Sequence, residues 1–140
     1  MDDTDRRLIA LLRENARLPV ATLARLLKVS RGTVQNRIDR LTADGAISGF
    51  TVRLKPDAEP QRVRAITMVA VDGEHAASVL KSLRGIPEVQ ALHTTNGRWD
   101  IIAELGVGSL EAFDQALQRI RLIKRISSSE TSLLLSTHKI

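Results

Sequence analysis

An α+β architecture follows from two periodicities and an uneven distribution of charge. Before Gly45, apolar side chains recur at helical spacing: Leu8, Leu11 and Leu12, then Val20, Leu23, Ala24 and Leu27, then Val34, Ile38 and Leu41. From Val63 onward, short β-branched runs alternate with helical patterns. Residues 1–54 hold 10 Lys/Arg against 6 Asp/Glu, whereas the remainder holds 11 against 10. A basic front joined to a near-neutral back is the balance expected when one part meets phosphates. The sequence therefore divides into a three-helix helix-turn-helix domain over 1–50, a linker strand and loop over 51–62, and a βαββαβ sandwich of the ferredoxin-like kind over 63–140.

In the head, Thr4 or Asp5 is placed to cap a first helix running to about Asn15, and Asp2, Asp3 and Asp5 lie where the helix dipole favours acids. Pro19 suits the first turn of a second helix. Ser30 is the N-cap of a third, which ends near Asp44-Gly45 with glycine at the left-handed C′ position. The tight turn between the second and third helices sets them at a steep angle. That leaves the outer face of the third free to enter a DNA major groove.

With Val34, Ile38 and Leu41 buried, Gly32, Asn36, Asp39 and Arg40 fall opposite, flanked by Thr33 and Gln35, with Arg31 and Arg37 nearer the edges. Asn and Gln can pair bidentately with adenine, and Arg with guanine or phosphate. Gly32, without a Cβ, lets the helix start approach the bases. The candidate DNA-binding residues are thus Ser30, Arg31, Gly32, Thr33, Gln35, Asn36, Arg37 and Arg40. Asp39 would repel phosphate and is expected to turn to Arg37, Arg40 or solvent.

Ile47–Leu54 is expected to be a short extended segment, and Lys55–Arg62, with two prolines and four charges, a linker. Val63–Val71 follows as a strand. His75–Arg84 is a helix with Ala76, Leu80 and Leu83 on one face. Val89–Thr95 and Arg98–Leu105 form a hairpin about Asn96-Gly97, a two-residue turn signal that calls for positive φ. Ser109 caps a helix presenting Leu110, Phe113, Leu117 and Ile120, and Thr131–Thr137 is the last strand. Two helices cover only one face of such a sheet, yet apolar residues occupy both parities: Ile66, Met68 and Ala70 beside Val69 and Val71, Ile102 beside Ile101, Ala103 and Leu105, and Leu134 beside Leu133 and Leu135. A second apolar face is normally covered by another subunit, so at least a sheet-to-sheet homodimer is expected.

Several classes fall away. With no cysteine there is no disulfide framework or thiolate metal site, which suits a cytoplasmic location. No apolar run approaches the roughly 18 residues of a membrane span, and the acidic N-terminus lacks a secretory pattern. His75, His93 and His138 are scattered, and no metal-spaced pair or nucleophile–base set is present, so no metal, cofactor or enzymatic activity is expected. An RNA-recognition sheet needs stacking aromatics on its strands, and the chain has one Trp, two Phe and no Tyr.

The ordered blocks Leu8–Arg17, Leu23-Ala24, Val29-Ser30, Arg37–Leu41 and Asp44–Thr51, with Thr94–Asp100 in the second half, resemble the Lrp/AsnC (leucine-responsive, feast/famine) transcription regulators across essentially the whole chain. The resemblance implies a helix-turn-helix joined to a ferredoxin-like sensing domain, dimers that assemble to octamers, double-stranded DNA as partner, and an amino acid as effector. It places the effector at Thr94, Thr95, Asn96, Gly97, Arg98, Trp99 and Asp100. Asp100 would serve as acceptor for the ammonium, or else as a salt-bridge partner of Arg98 or another chain. Turn N–H groups near Gly97 or the hydroxyls would donate to the carboxylate. The apolar surroundings and Trp99 point to an effector such as leucine or methionine. Some proteins of this layout are haem-pathway decarboxylases, and an architectural DNA-wrapping role is a further alternative. Lys28 stands where the family usually has Gly, in a turn whose left-handed geometry would cost about 1 kcal/mol for a side-chain-bearing residue. Phe50 replaces a common Tyr.

Overall fold

The computed structural model describes residues 1–55, 58 and 62–139, and these divide into two compact units, Met1–Arg53 and Leu54–Ile140. The first holds α1 (Asp3–Glu14), α2 (Val20–Leu27) and α3 (Arg31–Ala43). Their apolar stripes close on one core of Leu8, Leu12, Leu23, Ala24, Leu27, Val34 and Leu41, with Leu11, Val20 and Ile38 half-buried against it. Burying each large aliphatic side chain contributes about 1.5–3 kcal/mol. Ser30 accepts from the Thr33 N–H at 3.1 Å, and Gly45 follows α3 at φ 75°. Lys28 adopts the left-handed conformation, φ 58° and ψ 45°, so the turn keeps its geometry at that residue's cost.

The second unit runs β1 (Val63–Val71), α4 (Ala76–Arg84), β2 (Val89–Thr94), β3 (Ile101–Val107), α5 (Leu110–Arg121), β4 (Ile126–Leu133). The sheet order is β2-β3-β1-β4 and every pairing is antiparallel, the βαββαβ layout expected. Its core gathers Ala65, Val69, Ile101 and Leu105 beneath Val79, Leu83, Phe113 and Ile120. On the opposite face Ile66, Met68, Ala70 and Ile102 are half-buried, bounded on β4 by Ser128, Glu130 and Ser132, which pair with Ala70, Met68 and Ile66. The second apolar face is therefore a strip confined to β1 and β3.

Local expectations are corrected in six places. The cap of α1 is Asp2, not Thr4 or Asp5, because Asp2 and Asp5 form a reciprocal capping box that satisfies both ends. Asn96-Gly97 is not a two-residue turn: Thr94 pairs with Ile101, the connection spans 95–100, and neither Asn96 nor Gly97 has positive φ. The strand β3 accordingly starts at Ile101, not Arg98, and runs to Val107. On α5 Leu110 is 64% exposed, and the buried face is Phe113, Ala116 and Ile120. The last strand begins at Ile126 and ends at Leu133, so Leu134–Thr137 lies outside it. On α4 the fully buried residue Val79 joins Leu83 in the core, while Leu80 and Ala76 are only partly covered.

The segment Ile47–Leu54 pairs with no strand among the described residues. The expected linker Lys55–Arg62 falls largely outside the described residues. No helix among the described residues is long and apolar enough to cross a membrane.

Candidate functional site

The N-terminal turn of α3 starts at a cap in which Ser30 Oγ and Thr33 Oγ1 lie 2.8 Å apart, so these two hydroxyls are occupied with each other and with the helix end. Arg31, Gly32 and Asn36 are exposed, and neither the Arg31 nor the Asn36 side chain makes a hydrogen bond among the described residues. A Cβ on Gly32 would meet nothing nearer than Ser30 Oγ at 3.9 Å, so the helix start is open. Gln35 donates from Nε2 to Asp39 Oδ1 at 2.8 Å, which is where Asp39 turns instead of to an arginine.

Arg37 and Arg40 point back toward α1. Arg37 Nη1 donates to Asp2 at 2.7 Å and to Asp5 Oδ1 at 2.8 Å, and Arg40 Nη2 donates to Asp5 Oδ2 at 2.8 Å. Asp5 is 1% exposed. The Arg37 guanidinium, with the Asp5 N–H, holds the Asp2 carboxyl down to about 2. The same guanidinium lowers Asp5 against the opposing effect of burial, and the two carboxylates raise Arg37 in return. Of the eight expected DNA-binding residues, the structure leaves Arg31, Gly32 and Asn36 unengaged and gives the others local partners.

In the second unit, Thr94 ends β2 and the connection 95–100 is folded on itself. Thr95 N–H donates to the Asp100 carbonyl at 3.0 Å, Gly97 N–H donates to Thr95 Oγ1 at 3.2 Å, and Thr95 Oγ1 donates to the Trp99 carbonyl. Arg98 lies over the Trp99 ring at 5.3 Å, a cation–π arrangement. Asp100 bridges to the end of β1: its N–H donates to the Val69 carbonyl at 2.9 Å and its Oδ2 accepts from Val71 N–H at 2.7 Å. It forms no salt bridge among the described residues, and the exposed carboxylate keeps Oδ1 available. Of the seven expected effector residues, Thr94 closes β2 and the other six form the connection that follows it.

Sequence reasoning missed a cleft of about 330 Å³ between α5 and the strands β1 and β4. Three hydroxyls line it, Thr67, Ser129 and Thr131, facing Phe113, Leu117 and Ile120, with Arg121 also at its wall. Thr67 is fully buried and bonds Thr131 across the strands at 2.9 Å. The available signal was a threonine alone in the apolar run of β1, matched by hydroxyls at alternate positions of a later segment.

The histidines do not converge. His93 pairs with Glu104 at 3.2 Å, His75 precedes α4 as its N-cap, and His138 neighbours Ser136 at 3.2 Å. No group of three or more His, Cys, Asp or Glu side chains suited to a metal occurs among the described residues.

Residues 1–42 match the AsnC-type helix-turn-helix domain, and residues 64–140 match the Lrp/AsnC ligand binding domain. A Pyrococcus horikoshii protein described as an uncharacterized HTH-type transcriptional regulator, PH0140, is 31% identical, covering 99% of this chain and 89% of that protein. The structure of E. coli AsnC superposes with a TM-score of 0.84 at 26% identity, over 100% of this chain and 95% of that one. The Neisseria meningitidis transcriptional regulator NMB0573, solved as an L-Met complex, shares the fold with a TM-score of 0.82 at 22% identity, over 100% and 93% of the two chains.

Proposed function

The chain belongs to the Lrp/AsnC family of transcriptional regulators, and from that membership we propose that α3 reads double-stranded DNA under the control of an amino acid held by the second unit. The carrying observation is the outer face of α3 after the Ser30 cap, where Arg31, Gly32 and Asn36 are exposed and unengaged among the described residues. An arginine and an amide within the first two turns, beside a helix start without a Cβ, suit base edges and the phosphates beside them. Residues 1–50 would form the reading domain and residues 63–140 the sensing and assembly domain.

For the effector, the segment Thr94–Asp100 offers a carboxylate oxygen for an ammonium group and N–H groups for a carboxylate, with Trp99 as an apolar wall. The side chain favoured is apolar, leucine or methionine, and the L-Met complex of the NMB0573 structure is consistent with that class. A second seat is favoured by one observation, the Ser129 hydroxyl and the bonded Thr67–Thr131 hydroxyl pair beside Arg121, which leave two O–H donors for a carboxylate. The half-buried strip of Ile66, Met68, Ala70 and Ile102 supports a sheet-to-sheet homodimer, assembling further to octamers. The role is regulatory rather than catalytic, and its setting cytoplasmic.

The decisive experiment pairs retardation of double-stranded DNA at low salt with a thermal-shift screen of the twenty amino acids, since a ligand stabilises only the state it binds. Retardation that a stabilising amino acid then alters is the expected result. Absence of retardation defeats the DNA reading. A flat screen defeats the effector reading, and a monomer in sedimentation at micromolar concentration defeats the assembly.

A further inference from the structure

Arg31, Arg37 and Arg40 are the three basic residues of α3, and of these only Arg31 has no partner among the described residues. Arg37 and Arg40 stand three positions apart on α3, and Asp2 and Asp5 stand three apart at the start of α1, so the two pairs interlock. Asp5 is the centre of the cluster. Its Oδ1 accepts from Arg37 and Arg40, and its Oδ2 from Arg40 and from the Asp2 N–H at 3.1 Å. That fills the acceptor capacity of a carboxylate. A carboxylate this far out of water persists only while its charge is matched and its oxygens are bonded. Moving Arg37 onto a DNA phosphate would strip Asp5 of a charge partner inside the protein, in exchange for one contact at a wet surface.

We infer that Arg37 and Arg40 are positioning residues: anchored on Asp2 and Asp5, they fix α3 against α1, while contact with DNA falls to Arg31, Gly32 and Asn36. This deepens the DNA-reading proposal and rests on it. Two consequences separate the inference from an ordinary basic-patch reading. Removing Arg37 should weaken binding without removing a phosphate contact. Removing the acid together with the arginine should restore much of what either loses alone, because the buried unmatched charge disappears with its partner.

The test uses the full chain and a duplex that the wild-type protein selects from a random-sequence pool. Failure to select any duplex would count against DNA reading itself, before any variant is made. Affinity is then measured over a salt series, where each lost phosphate contact flattens the slope of log affinity against log salt by about one. The expected result is that Arg31→Gln flattens the slope by about one, whereas Arg37→Gln weakens binding at unchanged slope. The double variant Asp5→Asn/Arg37→Gln should bind more tightly than Arg37→Gln alone, because it leaves no buried acid without its partner. A flatter slope for Arg37→Gln overturns the inference, as does a double variant whose losses simply add. If Arg37→Gln fails to fold by circular dichroism, the half-exposed Arg40→Gln is measured in the same way, and an unchanged slope is again required.

Discussion

Asp5 and Arg37 lie 32 positions apart in the chain and meet at 2.8 Å, with the acid 1% exposed. This pair joins the first turn of α1 to the middle of α3, and Asp2 and Arg40 complete it. The head is therefore held by an aliphatic core on one side and by matched charge on the other.

Acid should loosen the head. Asp2 titrates at about 2 in the folded chain against 3.8 ordinarily, and Asp5 is lowered too, so below pH ~4 the unfolded chain binds more protons than the folded one. The stabilisation is complete above the unfolded value and is lost as pH falls from about 4 toward 2. Urea unfolding of the head across that range, followed by helical circular dichroism, should show a declining midpoint. Asp5→Asn should be less stable at neutral pH and decline less steeply.

Lys28→Gly should stabilise the head by up to about 1 kcal/mol, because φ 58° strains a residue with a Cβ and suits glycine, less the entropy that glycine loses on folding. The midpoint of chemical unfolding should rise. An unchanged or lowered midpoint would show that Lys28 earns its conformation through another contact.

Leu8 is fully buried between the head helices, and Leu8→Ala should cost about 2–5 kcal/mol. A small three-helix unit has little to spare, so DNA retardation should be lost. The β signal of the second unit, which has its own core, should persist in circular dichroism at the same temperature.

Asp100→Asn and Asp100→Ala should differ in an informative way. Asn retains an oxygen for the Val71 N–H, now bonded at 2.7 Å, but lacks the charge for an ammonium group. Both variants should lose the amino-acid-induced thermal shift while still retarding DNA without effector. Only the alanine variant should also lower the basal melting temperature, from a lost hydrogen bond of about 1 kcal/mol. An undiminished thermal shift in either removes Asp100 from the effector seat.

Much of this was legible in the residues themselves. The head helices were readable because each carries an unbroken stripe at a 3.6-residue period, and Val63–Val71 because β-branched residues hold five of its nine positions, including both ends. The edge strand Ile126–Leu133 was not, since Ser127–Thr131 is polar at both parities and its register is held by partners on β1, including Thr67. Asn96-Gly97 misled because bonds made by Thr95 and Asp100 to the surrounding backbone dictate a longer connection. The candidate reading helix was located, but the partners of Arg37 and Arg40 stand 32 to 35 positions away, beyond the reach of local spacing. The hydroxyl-lined cleft was hidden for the same reason, because α5, β1 and β4 meet only in the folded sheet.

Arg31 and Asn36 are the outermost of the three α3 residues left unengaged among the described residues. At ~1.5 Å per residue they are separated by about 7.5 Å along the axis, or roughly two base-pair steps of ~3.4 Å. A lone copy can thus spell only a very short word, and short words recur throughout any genome. Recognition of a unique address would then have to come from the phasing of several such words along the duplex, which makes the spacing between them as informative as their letters.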